Sequence, residues 1–486
     1  MLAARPGCTF FSSHWFVTAL IVIISFFAYI SINYHGEQEF INQNKTDLVG
    51  LVLSARSNFD KRNVLRETWF NGKSTYDTGN VNIKLHFIVG KNDCRIPIDY
   101  REDEYSCMEW VYNETEDCKT NVLSHDTESI SYGNTFSSHI FRGFSFKVHQ
   151  DILLKLVGCL FPCRCDTIIL KNVLTQEILL NQSFVGEQKQ NDYGFNYQAV
   201  APILFLPKGF TGLLFVLNTD NLNCQPERVH RWNRFAKLTQ ILRVYKDLND
   251  YESLVFHGEE IIMASFVIEL ADQSAYLKMI KDKEKNYHEF DKELSEIKVK
   301  LENELLEHED IILVDVIDVY RNLPEKLVHA IAWTMTTENA DLILKTDDDC
   351  FIDLANISHK INLLTERKSI WWGNFRHNML VNVYGKWAEN FFPGSVYPSF
   401  ACGSGYIISS DIANWITMNK KFLHYFQGED VSMGIWLSSI IPIYLMDRDW
   451  ACAEDAPRDE LLAYCQLNPS QLRQFHAMKS KNIKNN

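Results

Sequence analysis

The stretch Leu342-Ile-Leu-Lys-Thr-Asp347-Asp348-Asp349 constrains the fold more than any other part of the chain. An apolar run of this kind, continued back to Ala340, reads as a buried strand, and it ends abruptly in three carboxylates. Open α/β sheets bind ligands outside the carboxyl ends of their strands, so acids at that point face a crevice. Carboxylate oxygens, completed by phosphate and water oxygens, suit Mg²⁺ or Mn²⁺. An isolated acidic triplet can equally be a solvated turn, here with Asp353 capping a helix that starts at Leu354.

The surrounding pattern favours the crevice. Residues 47–54 (DLVGLVLS) and 81–89 (VNIKLHFIV) read as strands, and between them Val64, Leu65 and Trp69 recur at helical spacing over 62–69. Residues 311–315 and 340–345 read as further strands, with a helix over 324–338 between them. Strand–helix–strand repetition implies an α/β domain with a parallel sheet. The repetition stops over 91–273, where short β-type runs separated by turn residues predict an inserted antiparallel β-sandwich. Over 278–310 an apolar stripe of Phe290, Leu294, Ile297, Leu301 and Leu305 predicts a helix whose Lys/Glu-rich remainder is a solvated face. The catalytic domain is thus expected in two parts, 47–90 and 274–478, around the insert.

The N-terminus is of another kind. Residues 15–34 carry no charged side chain and have aromatic residues at both ends, long enough for a bilayer-spanning helix. The small-residue cleavage site of a secretory leader is missing after them, so an uncleaved signal anchor is expected. That gives a cytosolic tail at 1–14, the span at 15–34, a stem at 35–46 and a luminal remainder, in the Golgi or endoplasmic reticulum. Four glycosylation triplets, at Asn44, Asn113, Asn181 and Asn356, lie beyond the span and agree with a single-pass type II topology. So do 12 cysteines, of which only Cys8 precedes the span. Spacing suggests Cys94–Cys107 and Cys452–Cys465 bridges; the cluster Cys159, Cys163, Cys165 lacks the second ligand pair of a zinc site. A formal charge of −14 argues against nucleic acid as a partner.

Two further spots carry candidate chemistry. Gly403-Ser404-Gly405 reads as a tight turn entering an apolar segment. Glu429-Asp430 opens a helix, where acids complement the dipole; a carboxylate there could also take the proton of an attacking hydroxyl. Trp371-Trp372 fits a sugar platform or ordinary core equally well. Gly72-Lys-Ser-Thr75 only imitates a phosphate loop, because Glu67 stands where its first glycine belongs.

In order and spacing, the blocks Leu53-Ser-Ala-Arg56, Arg62-Asn-Val-Leu-Arg66-Glu-Thr-Trp69, Asp315-x-x-Asp318-x-Tyr320-Arg-Asn322-Leu-x-x-Lys326, Lys345-Thr-Asp-Asp-Asp349, Trp372-Gly, Tyr397-Pro, Gly403-Ser-Gly-Tyr406 and Glu429-Asp430-Val-x-x-Gly434 resemble the animal β-1,3-galactosyltransferase family. The resemblance implies a GT-A-type nucleotide-sugar-binding domain, Mn²⁺, and inverting β-1,3 transfer from a UDP-sugar to a glycan on a glycoprotein. The expected donor is UDP-GalNAc and the expected acceptor a GlcNAc-terminated glycan. UDP-galactose is the alternative donor, and an inactive lectin-like membrane protein is the alternative of another class. In family terms Ser54, Arg56, Arg66, Asp318, Lys326, Asp347, Asp348, Gly403 and Ser404 would line the nucleotide sugar, Asp347 and Asp349 would meet the metal, and Asp430, with Glu429 second, would be the base. The family's second metal ligand, a histidine after the Glu-Asp-Val helix, is missing; Asn468 or water is expected in its place.

Overall fold

The computed structural model describes residues 45–70, 75–77, 80–110, 119–121, 143–160, 166–184, 195–217, 236–244, 251–254, 264–382, 385–389, 391–452, 455–458 and 460–483. The expected span at 15–34, Asn44, Asn113, Cys163 and Cys165 lie outside these residues. Among the described residues no helix is long and apolar enough to cross a membrane.

An eight-stranded sheet organises the site. Its order is Ile311–Ile317, Val81–Asn92, Thr46–Leu53, Leu342–Asp347, Phe400–Ser409, Ile370–Arg376, Ile443–Met446, with Thr75–Asp77 paired to Val81–Asn92. The first four strands run parallel, and Phe400–Ser409 lies antiparallel between Leu342–Asp347 and Ile370–Arg376. Side chains alternate across the sheet as a strand period of two demands. Leu342 and Leu344 enter one core with Leu48, Val52, Leu65 and Phe87, whereas Ile343 enters the other with Val49, Leu51, Leu327 and Ile331. Gly50 keeps the first layer close, since a Cβ there would come within 2.4 Å of Leu85 Cδ2.

Two antiparallel sheets are built from the segment between these halves. One runs Tyr251–Leu254, Ala236–Val244, Gly143–Val148, Thr211–Leu217, Thr167–Asn172, Ile178–Ser183; the other runs Lys119–Asn121, Ala264–Leu270, Ile152–Leu160, Phe195–Leu206. They share one core in which Phe146 packs on Phe266 with ring centroids 4.7 Å apart. Asn181 is exposed on the edge strand Ile178–Ser183, and Asn356 is exposed on the helix Leu354–Asn362.

Several expectations need correction. Gly403-Ser404-Gly405 is not a turn but the middle of a strand, where the Trp450 ring would lie 2.8 Å from a Cβ on Gly405. Residues 278–310 form two helices, Gln273–Lys281 and Lys283–Glu307, broken at Asp282. Trp371 and Trp372 are both core, with no face for a sugar. Cys94–Cys107 is bridged, whereas Cys452 pairs with Cys402 and Cys465 with Cys350. The reason is register: Phe351 pairs with Tyr464, which sets Cys350 opposite Cys465. Cys159 is itself disulfide-bonded, so it is no zinc thiolate.

The chain closes around its insert through buried charge. Glu304, from the helix after the insert, accepts from Arg62 Nη2 at 2.6 Å and Arg66 Nη1 at 2.7 Å; Arg66 Nε also donates to Asp310 at 2.7 Å. Burial alone would raise the Glu304 carboxyl, and the two guanidiniums nevertheless hold it below its usual value. Breaking a buried network by removing one partner typically costs about 3–5 kcal/mol. Glu304→Ala should therefore lose stability of that order in denaturant unfolding, and a midpoint equal to wild type would contradict the role assigned to this network.

Candidate functional site

At the carboxyl end of Leu342–Asp347 the chain turns sharply, Asp348 N donating to Leu53 O at 3.1 Å and Cys350 N to Asp347 O at 3.3 Å. The turn gives the three acids different partners. Asp348 is buried and accepts from Asn58 Nδ2 at 2.7 Å and Lys61 Nζ at 3.0 Å, so it fixes the loop after the first strand. Asp347 and Asp349 face a cavity of about 660 Å³, within the range of ligand pockets.

Lys345 holds the site together. Being two residues before Asp347, it projects from the same face of the strand. Its ammonium is 3.0 Å from Asp347 Oδ1, donates to Gly403 O at 3.0 Å, and makes a short contact with Glu429 Oε1. Burial works against this charge, yet Asp347 and Glu429 override it and keep the lysine protonated well above its usual range. Glu429 is thereby engaged, and Asp430 is left facing the cavity above Gly403, where a Cβ would lie 3.4 Å from Asp430 Oδ2. Gly428, at φ +90°, makes the turn into the Glu429–Leu437 helix; a side chain there would press on Asp430 Oδ1 at 2.9 Å.

Four carboxylates share this space with one fully buried cation. Burial first, then Glu429 and Asp349, push Asp347 up to about 7 against the pull of Lys345. Burial and then Glu429 push Asp430 up to about 7 as well. Asp349 is also raised, by burial and Asp348, with Lys61 Nζ at 3.8 Å opposing.

The donor set fits a hard divalent cation through Asp347 and Asp349, whose oxygens are open to the cavity and crowded by like charge. Cys350 and Cys465 lie near Asp349, but both sulfurs are in the disulfide and offer no thiolate. Asn468 does not take the place of the absent histidine. Its side chain accepts from Gln471 N at 2.9 Å and caps the Pro469–Ile483 helix, while Gln466 lines the cavity instead.

Of the sequence-predicted residues, Ser54, Asp318, Lys326, Asp347, Asp348, Asp349, Gly403, Ser404, Glu429 and Asp430 all border this one cavity. Asp318 and Lys326 are largely occupied with each other: Asp318 also accepts from Arg56 N and Gly90 N, and Lys326 donates to Ser54 O at 3.0 Å. They shape the wall through the backbone. Arg56 and Arg66 stand off it. Arg56 donates to Gly90 O and Lys91 O, and Arg66 is taken up by Glu304 and Asp310. Among residues the motifs did not single out, Asn58, Lys61, Trp387 and Gln427 also line the cavity. Lys345 had a signal of its own, a charge inside an apolar strand, which needs a buried partner.

The raised carboxyl makes a prediction. Asp430 binds its proton more tightly in the folded chain (about 7) than in the unfolded one (ordinary value 3.8), so its contribution to stability is present in acid and lost as pH rises to about 7. Asp430→Asn, which keeps the size and removes the charge, should melt above wild type at pH 8 in chelator, with the gap narrowing at pH 5. A gap that does not change with pH would contradict this electrostatic picture.

The comparisons with known proteins bear on this same region. The sequence model of the family described as Galactosyltransferase matches residues 273–443, a segment holding Asp347, Asp349, Glu429 and Asp430. The UDP-GalNAc:beta-1,3-N-acetylgalactosaminyltransferase 2 of Mus musculus is 32% identical over 451 residues, covering 89% of this chain and 87% of that protein. The Homo sapiens protein of the same name is 32% identical over 452 residues, covering 90% and 88%. Beta-1,3-galactosyltransferase 6 of Mus musculus is 29% identical over 150 residues, 30% of this chain and 46% of its own.

Proposed function

Since the chain belongs to the galactosyltransferase family, we propose that it transfers N-acetylgalactosamine from UDP-GalNAc, in β-1,3 linkage and with inversion, to a GlcNAc-terminated glycan on a glycoprotein. The observation that carries this reading is the meeting of Asp347, Asp349, Glu429 and Asp430 on one cavity at the carboxyl edge of the sheet. The names of the long-range relatives favour N-acetylgalactosamine over galactose as the transferred sugar.

Asp430 accepts the proton of the acceptor hydroxyl. The freed oxygen bonds to the anomeric carbon as the bond from that carbon to the diphosphate breaks, and UDP departs with the electron pair. A base with a pKa near the working pH is well matched to this step. Glu429, tied to Lys345, orients its neighbour and leaves it free to act. Asp349, with Asp347 beside it, would hold Mn²⁺, which when bound offsets the charge of the leaving diphosphate. Lys61 and Asn58, which border the same cavity, brace the acidic turn through Asp348.

The same reading places the catalytic domain in the lumen of the Golgi or endoplasmic reticulum, held by a signal anchor at 15–34. The disulfides Cys94–Cys107, Cys350–Cys465 and Cys402–Cys452 and the exposed Asn181 and Asn356 suit an oxidising, glycosylating compartment.

The full-length chain, assayed with Mn²⁺ against a panel of UDP-sugars and a GlcNAc-terminated acceptor, should use UDP-GalNAc best. Preference for UDP-galactose would move the donor assignment, and no transfer from any donor would favour the lectin-like alternative. Asp430→Asn should keep UDP affinity and lower kcat by about 10²–10⁴-fold. Asp349→Asn should weaken Mn²⁺ and UDP binding together in calorimetry. A folded Asp430→Asn enzyme with wild-type kcat would remove Asp430 from the mechanism and make Glu429 the next candidate.

A further inference from the structure

Among the aromatic residues that line the cavity Trp387 stands out, because it leaves 57% of its surface exposed whereas Tyr397 and Phe400 are buried. Its indole is held in place. Nε1 donates to the Tyr320 hydroxyl at 3.1 Å, and the neighbouring Lys386 ammonium sits 4.2 Å from the centre of the Tyr320 ring. The backbone behind it is fixed as well. Arg321 Nη1 donates to Ala388 O at 2.7 Å and to Gln427 Oε1 at 2.7 Å, while Arg321 Nε donates to Asp103 Oδ2 at 2.6 Å. Glu389 in turn accepts from Gln427 N at 2.6 Å, just ahead of the Glu429–Leu437 helix. A large amphipathic ring kept rigid and partly uncovered at a cleft is the arrangement of a ligand platform.

The topology says which ligand. In sheet order, Ser54 and Asp318 follow strands on one side of Leu342–Asp347, and the segment carrying Trp387 follows Ile370–Arg376 on the other side. The second side also carries Gly403, against which Asp430 rests. The Tyr320 phenol that braces Trp387 feels Glu429, Asp430 and Asp347. The indole and Asp430 therefore line one cavity, and the segment carrying the indole enters it from the same side of the sheet as Gly403.

We infer that Trp387 is the platform for the acceptor sugar, a gluco-configured N-acetylhexosaminide whose axial C–H bonds stack on the indole while its attacking hydroxyl meets Asp430. Rings of that configuration carry their hydroxyls equatorially, so both faces are apolar enough to lie on an aromatic surface. The inference rests on the transferase reading given above and deepens it.

The test uses the full-length chain with a β-linked N-acetylglucosaminide as acceptor. Trp387→Ala should raise acceptor KM about tenfold or more, with UDP affinity and melting temperature as in wild type, and Trp387→Phe should recover much of the loss. Saturation-transfer NMR of the same sugar with Mn²⁺ and UDP should show contact in wild type and lose it in Trp387→Ala. An unchanged acceptor KM in Trp387→Ala, or an equal loss of UDP affinity, would overturn the assignment. If wild type transfers no sugar, the transferase reading fails; the NMR comparison still decides whether Trp387 binds the hexosaminide.

Discussion

A fully buried lysine joins three parts of the catalytic domain. Lys345 bonds Asp347 on its own strand, the Gly403 carbonyl on the neighbouring antiparallel strand and Glu429 at the head of a helix. Taking an ammonium out of water costs several kcal/mol, and only partners this close offset it. The lysine cannot be swapped for an apolar residue without leaving Asp347 and Glu429 as uncompensated charges in the same space. Its position also divides the labour of the acids. Glu429 is bound to it, and Asp430, one residue on, keeps an open oxygen.

The site holds more negative charge than its cations balance, and Asp347 and Asp430 respond by rising to about 7. That is strain of an electrostatic kind, which the surrounding packing must over-determine. Two disulfides, Cys350–Cys465 and Cys402–Cys452, each set one cysteine, Cys465 and Cys402, in the cavity wall. Trp450 is fully buried with its ring close against Gly405. The insert contributes too. Lys147, on one of its strands, lies 3.5 Å from Asp103, and Asp103 holds the Arg321 that ties Ala388 and Gln427 beside the cavity. A second ionic junction, Arg62 and Arg66 with Glu304, closes the domain where the chain returns from the insert.

Much of this was legible from residue order where local pattern and chemistry coincide. Leu342–Asp347 is an apolar strand that stops at acids, and both signals point to the same edge of the same sheet. The β-type runs over 91–273 were visible by composition, but how they pair into two sheets was not, because strand order is set by partners distant in sequence. Glycine misled at Gly403-Ser404-Gly405, since it marks a turn and a close approach alike, and here the approach is that of Trp450. By family resemblance Arg66 was expected to line the nucleotide sugar, yet its partners, Glu304 and Asp310, lie more than 230 residues away in sequence. Asn468, expected in the place of the histidine, instead caps the helix that starts at Pro469. Lys345 announced by its setting that it needed a buried partner, but which partner, like that of Trp387, was set by contacts 84 and 67 residues distant.

The central claim is that one carboxylate and one leaving diphosphate act from opposite faces of the donor's anomeric carbon. The stereochemistry of the product tests this most directly. Proton NMR of the product formed from UDP-GalNAc, read at its anomeric signal before any equilibration, should show the large coupling of a β linkage, the configuration opposite to the donor's. A small coupling, marking an α linkage, would contradict single displacement at this site.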